Sequence, residues 1–542
     1  ALYADARVDE AVKRVRERKA RLGESVSTAS FEQNAVPEVV SIKVGAVQTQ
    51  NIREVGPLHV GHQMWQRLQV DAVLKAVGLS APARALTEVM TLNRLIWPCS
   101  ELAMVDWVRR TAISDVLGQD VSKLNADRFY RNLDKLHSKR QQVEAELHTR
   151  ERSLFNLQGS LVLYDLTNTY FEGQMLATPK AKRGHSKEKR SDCKLVAMGL
   201  MLDGDGFPIG HEIFDGNTQD GKTVEAMLNA LEQRTGRAGG STVVMDRGMV
   251  SEDNLALVRS RKHHYLVAGF QNQRGSFMDE FEVLDGWSEL TPSVVKCPIR
   301  IKRVEREGII YLLCVSPARA EKDRAIREKQ EQRLIMDLEK LAISVAKAEE
   351  AGKPSEDTDL HERIGRLRER YSRAGRYYAI ERKDGALVWT LKTEKKHRAE
   401  ELDGAYFLKT SRTDLDAEEI WRTYITLTRV EAAFRDLKST LDMRPVFHRK
   451  ETRVETHIFL CVLAYHLQVA IEHAMLQTGE HTSWETLRQE LSTHHIVTVI
   501  LPTADGRKIA IRKGSIPEAR PREIYRLLGL PADPMKPIQT WV

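Results

Sequence analysis

Ser160-Leu-Val-Leu-Tyr-Asp165-Leu-Thr167 is the stretch whose reading decides the fold. Aliphatic and aromatic residues in a run too short for a helix predict a buried strand, and this one ends in an acid. Working outward, residues 193–202 and 208–214 read as two more strands, separated by the turn Asp203-Gly-Asp-Gly206. Residues 223–234 form an amphipathic helix. Ser241-Thr-Val-Val-Met-Asp246-Arg-Gly248 is a second apolar strand capped by an acid. Ser251 N-caps a helix through residue 259, with Asp253 in its first turn, and residues 264–268 are a fifth strand. Three strands joined by short turns, then helix, strand, helix, strand, predict an α/β sheet.

That pattern stalls after residue 270. Between 270 and 415 the chain gives β-like pieces at 294–303, 309–315, 386–392 and 405–410 around a charged helical hairpin. Leu334, Leu338, Leu341 and Val345 repeat at coiled-coil spacing, and Leu360, Ile364 and Leu367 answer them across the turn Gly352-Lys-Pro354-Ser. Such an arm reads as scaffold. Asp416 then starts a helix that puts Tyr424, Glu431 and Lys438 two turns apart on one stripe, with Arg435 at i+4 from Glu431. A long apolar helix follows at 457–475. His466, Gln468, Glu472 and His473 interrupt it, so it reads as a buried helix rather than a membrane span.

At the N-terminal side, residues 8–22 read as a charged helix, followed by a polar linker and a β-like segment at 39–47. Helices are expected at 58–70, 71–77, 83–95, 99–111, 127–135 and 142–156. Their Arg94, Arg109, Arg110, Arg128 and Arg131 suit either a DNA-reading module or a structural bundle. The tail holds a helix at 484–492, a basic hairpin at 497–512 and a terminal helix at 521–528. The expected division is a charged linker segment (1–55), a helical domain suited to DNA binding (56–157), an α/β core in two parts (158–269 and 416–480) around an insertion (270–415), and a C-terminal region (481–542) for dimerisation or DNA contact.

A chain of 542 residues is too long for one ordinary core. Its net charge of +7 leans mildly towards a polyanionic partner. The five cysteines include no C-x-x-C pair, so zinc-ribbon and thioredoxin readings have no support and reduced thiols in a cytosolic protein are expected. No signal peptide is read at the N-terminus, although the chain starts without Met.

Acids at the ends of neighbouring strands converge in the crevice outside a sheet, and a third acid on a following helix completes an oxygen-ligand site. Asp165, Asp246 and Glu431 fit those places, with ligands suited to Mg²⁺ or Mn²⁺. Singly, each has a plainer reading: a turn cap for Asp165, a pair with Arg247 for Asp246, a pair with Arg435 for Glu431. Seven Lys/Arg between Lys180 and Lys194, among them Lys187 and Arg190, sit between the first two strands beside this site and suit a DNA-backbone contact. Trp287 and Trp389 in the insertion could stack on a flipped base, but core positions suit them better.

The chain resembles bacterial insertion-sequence transposases of the DDE type, whose third acid lies in a Y-R-E-K signature. The residues that carry the resemblance are Tyr164-Asp165-Leu-Thr167-Asn-Thr-Tyr170-Phe171-Glu172-Gly173, Val244-Met-Asp246-Arg247-Gly248-Met249, Tyr424, Glu431-Ala-Ala-Phe434-Arg435-Asp-Leu-Lys438 and Arg444-Pro445-Val-Phe-His448. Gly184-His-Ser186-Lys187, Gly216-Asn217-Thr218-Gln-Asp220 and Asn93-Arg94-Leu95-Ile-Trp-Pro98-Cys-Ser100 extend it. It implies a ribonuclease-H-like mixed sheet flanked by helices, interrupted by a β-rich insertion with a helical hairpin and preceded by an all-α N-terminal domain. It also implies cleavage at terminal inverted repeats of double-stranded DNA, strand transfer into target DNA, and two Mg²⁺ or Mn²⁺ ions on Asp165, Asp246 and Glu431. Tyr424 and Lys438 would bind the scissile-end phosphate, with Arg435 beside them. The signature's arginine falls at Leu427, and Arg429 is the nearest substitute. A homodimer in a synaptic complex, no membrane, and a cytoplasmic, nucleoid-associated location complete the expectation. A nuclease or resolvase without strand transfer fits the same acids, and so does a domesticated, non-catalytic DNA-binding protein.

Overall fold

The computed structural model describes residues 39–175, 177–187, 190–291, 297–350 and 357–542; the charged helix expected at 8–22 and the hairpin turn at 352–355 lie outside them. The chain divides into two compact units. One gathers residues up to 71, 80–132 and 467–542; the other gathers 72–79 and 133–466.

In the first unit the helices Gly56–Arg67, Ala81–Ile96, Glu101–Arg110 and Ile113–Leu117 fall where the sequence placed them, apart from the last, a single turn. The β-like segment expected at 39–47 lies further on. It is Gln48–Glu54, and it pairs antiparallel with His495–Pro502, the first strand of the C-terminal hairpin. Lys508–Gly514 and Ile538–Trp541 complete a four-stranded antiparallel sheet. Trp484 begins the helix Trp484–Leu491 and donates its indole N–H to the Leu95 carbonyl at 2.8 Å, so a fully buried aromatic also satisfies the end of another helix.

The second unit is built on a nine-stranded mixed sheet. Its strand order is Pro208–Asp215, Leu195–Asp203, Leu161–Tyr170, Thr242–Met245, His264–Ala268, Ala405–Thr410, Ile309–Val315, Ile299–Arg306 and Ser288–Leu290. The first five reproduce the expected core: an antiparallel meander, then two parallel strands reached through the helices Val224–Thr235 and Glu252–Ser260. Ser251 caps the second helix by accepting the Asn254 N–H at 3.1 Å. One face of the sheet buries Val162, Tyr164, Val243, Met245 and Tyr265 against Leu228, Leu231, Leu255 and Val258 of those helices.

The sheet does not stall at residue 270. Ala405–Thr410 pairs antiparallel with His264–Ala268 and carries three more strands outward from the segment read as an insertion. Among the described residues of that segment, only Tyr378–Lys383 and Ala386–Leu391 form a separate hairpin. The helices Pro317–Glu350 and Asp357–Arg370 bury Leu334, Leu338, Leu341 and Val345 with Leu360 and Ile364, with Leu367 half-buried beside them. Trp287 and Trp389 pack against cores but are half-buried rather than within them.

Glu451–Gln477 is the one helix among the described residues long and apolar enough to cross a membrane, but 83% of its apolar window is buried within the protein. His466, which breaks the apolar run, donates to or accepts from Glu151 at 2.7 Å, and both side chains are fully buried.

Candidate active site

The first acid sits mid-strand rather than at a strand end. Leu161–Tyr170 continues five residues beyond Asp165, because Thr167, Thr169 and Tyr170 are themselves strand formers and pair with Leu195–Met198. What stops beside Asp165 is the parallel ladder: Tyr164 pairs with Met245, and the next residue on each strand is an acid. Asp165 and Asp246 therefore occupy matching positions on adjacent strands, whose backbones run roughly 4.8 Å apart.

The third acid arrives on a shorter helix than expected. Asp416 caps Ala417–Ile425 through a full capping box: its carboxylate accepts the Glu419 N–H at 2.8 Å, and the Glu419 carboxylate accepts the Asp416 N–H at 2.9 Å. That helix ends at Ile425, and Thr428–Ser439 begins a second one. The break falls in Thr-Tyr-Ile-Thr-Leu-Thr, where β-branched residues disfavour the helix and two hydroxyls bond back to it. Thr426 Oγ1 donates to the Thr423 carbonyl at 2.6 Å and Thr428 Oγ1 to the Ile425 carbonyl at 2.7 Å. Tyr424 thus belongs to the first helix, and Glu431 and Lys438 to the second.

The second helix buries Val430, Ala433, Phe434 and Leu437, at helical spacing. Its opposite stripe, Leu427, Glu431, Arg435 and Lys438, lines one cleft of about 430 Å³ with Asp165, Thr167, Lys187, Asp246, Phe434 and Arg444. Three carboxylates and four cations share that cleft. Burial pushes the Asp165 carboxyl up to about 6; Asp246 and Asp220 add to that push, while Lys187 and the Leu166 amide, bonded at 2.7 Å, oppose it. Burial likewise pushes the Tyr424 phenol up to about 12, helped by the Asp246 carboxylate beside it. No thiol or imidazole is among the described residues lining the cleft. This all-oxygen set fits a hard divalent cation, which would relieve the crowding of negative charge.

The expected DNA contacts divide. Lys187 is in the cleft, its ammonium donating to the Leu166 carbonyl at 2.5 Å. Arg435 and Lys438 are there too. Arg429 is not. Two residues from Glu431 lies on the opposite side of a helix, and Arg429 donates instead to the Gly204 carbonyl, near Asp205 at 3.7 Å. Arg190 does not line the cleft either: its guanidinium forks onto Asp192 at 2.7 and 2.6 Å and lies over the Tyr170 ring. Lys180, in the same basic run, is tied to Glu455. Cations of this run are taken up by nearby carboxylates, so a count of them overstates how many are available to the cleft.

Sequence reasoning passed over Arg444 as a contact. It enters the cleft because the chain after the second helix returns to the first-acid strand, where the Val446 N–H donates to the Tyr170 carbonyl at 2.9 Å and the Glu172 N–H to the Val446 carbonyl at 3.2 Å. No periodicity links Arg444 to Glu431; its place in the quoted Arg444-Pro445 motif was the only signal. Asp220 is the other omission. It lines a neighbouring cleft of about 710 Å³ that shares Thr167 and Lys187 with the first.

Residues 160–467 match a family model described as the transposase DDE domain. No curated protein matches the chain. The matched residues run from the strand of Asp165 past the helix of Glu431, span more than half of the chain, and contain the three-acid cleft whole. The chain belongs to the family of transposases built on a DDE domain.

Proposed function

We propose that this transposase serves an insertion sequence: it binds the terminal inverted repeats, cleaves DNA there and joins the freed 3′-hydroxyl to target DNA by in-line phosphodiester displacement. The observation that carries this reading is the meeting of Asp165, Asp246 and Glu431 in one cleft ringed by Lys187, Arg435, Lys438 and Arg444. The three carboxylates would hold divalent metal, Mg²⁺ or Mn²⁺ and in all two ions. When bound, such ions lower the pKa of a water or hydroxyl nucleophile and neutralise charge on the leaving oxygen. The protein's own groups do the rest. Lys438 offers a point charge and Arg435 and Arg444 planar forks to the phosphates flanking the scissile bond, and the Tyr424 phenol, kept protonated, is a hydrogen-bond donor beside them. Arg444 supplies the guanidinium that Leu427 does not. Leu427 and Phe434 form an apolar wall that limits water near the reacting phosphate.

Holding two transposon ends together calls for a homodimer in a synaptic complex, and DNA as substrate places the protein with the nucleoid in the cytoplasm. The test is a donor bearing the terminal inverted repeats, incubated with the protein and Mg²⁺. Cleaved ends and joined target products are expected, and Asp165→Ala, Asp246→Ala and Glu431→Ala should each abolish both. Cleavage without joining would instead make the protein a nuclease, and end binding without either a silent DNA-binding protein.

A further inference from the structure

Away from the acids, a cleft of about 570 Å³ is lined by six cations, Arg274, Arg327, Arg373, Arg376, Lys395 and Arg398, against two carboxylates, Asp323 and Asp403. Part of that charge is structural. Arg327 forks onto Asp403 at 2.7 and 2.5 Å, and Arg373 lies 3.6 Å from Asp323. Arg274 is pinned to the floor by donating to the carbonyls of Leu402 and Ala405 at 2.9 and 2.8 Å. Burial, with the charges of Arg319 and Arg376, pushes its guanidinium pKa down against the pull of Asp323 and Asp403. The rim is different. Arg376, Lys395 and Arg398 are exposed and have no carboxylate partner among the described residues. Arg376 donates to the Tyr377 hydroxyl at 2.6 Å, and Lys395 and Arg398 stand three residues apart on the Thr393–Glu401 helix, hence on one face.

Strand register says where this cleft lies. Met245, just before Asp246, pairs with Val267, and Val267 pairs with Lys409 of the antiparallel strand Ala405–Thr410. Going from Lys409 back to Ala405, and on to Asp403 and Leu402, is therefore going towards the edge on which Asp165 and Asp246 sit. The pairing of Ala405 with Val315 brings the start of Pro317–Glu350, with Asp323 and Arg327, to the same edge. Ala405–Thr410 is two strands from that of Asp246, roughly 10 Å across the sheet, and Asp403 lies beyond Leu408, the residue level with Asp246, by up to about 17 Å along the strands. A DNA strand places a phosphate every 3.4 Å or so, so about six nucleotides cover the resulting ~20 Å.

We infer that this basic cleft grips the sugar-phosphate backbone of the duplex whose scissile bond lies at the three acids. The inference rests on the DNA-cleaving function proposed above. A lone phosphate would be met by convergent buried donors. Here the unpaired cations are spread over separate elements and exposed, which suits successive phosphates of one backbone.

The test is the salt dependence of binding to a labelled DNA duplex of arbitrary sequence, followed by fluorescence anisotropy with the full chain in chelator. Each phosphate contact adds about 0.9 to the slope of log affinity against log salt. Arg376→Gln, Lys395→Gln and Arg398→Gln combined should lower the slope by about 2–3, and Lys395→Gln alone by about 1. Lys340→Gln, Lys347→Gln and Arg366→Gln combined remove as much charge from the far part of the hairpin and should leave the slope unchanged. A wild-type slope in the rim triple variant, or an equal fall in the hairpin triple, overturns the inference. If the rim triple keeps that slope while the wild-type protein still cleaves inverted-repeat DNA, only this inference falls; a wild-type protein that neither binds nor cleaves DNA sinks the proposed function as well.

Discussion

Removing one carboxylate outside the cleft should loosen the catalytic sheet severely. Glu144, on the helix Arg140–Phe155, is fully buried and accepts from three donors: His211 Nδ1, the His211 backbone N–H at 3.1 Å and Arg234 Nε at 3.0 Å. It joins that helix to the strand Pro208–Asp215 and the helix Val224–Thr235. Burial by itself would push the carboxyl up; His211 and Arg234 more than offset this and hold it below the ordinary value. Glu144→Ala would leave Arg234, 4% exposed, with Glu212 at 2.7 Å as its remaining acidic partner, and would leave the His211 N–H without an acceptor. Truncating one member of a buried pair costs about 3–5 kcal/mol. Glu212 is half-exposed and stays in place, so the lower part of that range applies, about 3 kcal/mol. At 1.4 kcal/mol per factor of ten, that is roughly a hundredfold in local opening. Hydrogen exchange followed by mass spectrometry should show peptides from residues 195–215 exchanging about a hundred times faster in the variant. Because the folded-state pKa is depressed, this stabilisation is complete above the unfolded carboxyl pKa of about 4.5 and is lost as pH falls through the folded value. The difference between wild type and variant should therefore shrink below pH ~4.5. Exchange less than tenfold faster at neutral pH would refute the reasoning. So would failure of the apolar pair Glu144→Leu with Arg234→Met to recover most of the loss.

The acids themselves should separate binding from chemistry: Asp165→Asn, Asp246→Asn and Glu431→Gln should each slow inverted-repeat cleavage roughly a thousandfold or more, since several kcal/mol of charge stabilisation goes with a bound metal. Anisotropy on the same DNA should stay within a few-fold, and a matching loss of binding would count against the ligand assignment. Chelator should stop cleavage, and added Mg²⁺ or Mn²⁺ should restore it; full activity in chelator would refute the metal site. Leu338→Ala, in the core of the helical hairpin, should destabilise that arm by about 2–5 kcal/mol, read as faster limited proteolysis between residues 317 and 370. Asp416→Ala should remove the capping box and cost about 1 kcal/mol, seen as faster exchange in residues 417–425, with no change at 428–439.

What the sequence disclosed, it disclosed through short-range signals. The aliphatic run up to Asp165, the Ser251 cap and the leucine repeat from Leu334 to Val345 each state their local structure within a turn or two. The pairing of Ala405–Thr410 with His264–Ala268 joins segments about 140 residues apart, and nothing local in either says which partner it takes. The same holds for Gln48–Glu54 and His495–Pro502. The break between Ile425 and Thr428 was visible as a β-branched run, but the wider amphipathic pattern outweighed it. Arg429 was credited as the arginine nearest the signature position and Arg190 by the charge of its loop, whereas direction around a helix and a nearby carboxylate decided where they went.

The inserted strands also bear on what this protein does in company. A catalytic sheet ending at His264–Ala268 would present a row of unpaired backbone N–H and C=O groups to any other chain, the usual start of intermolecular strand addition. With Ala405–Thr410 and its three successors in place, that margin moves out to Ser288–Leu290, exposed at Ser288 and Glu289, and to the part of Ile299–Arg306 beyond it, which carries Lys302, Arg303, Glu305 and Arg306. So polar and charged a margin is a poor template. A chain shortened by joining residue 270 to residue 411 would keep all three acids and still be expected to aggregate, because what it loses is the cover on its own edge.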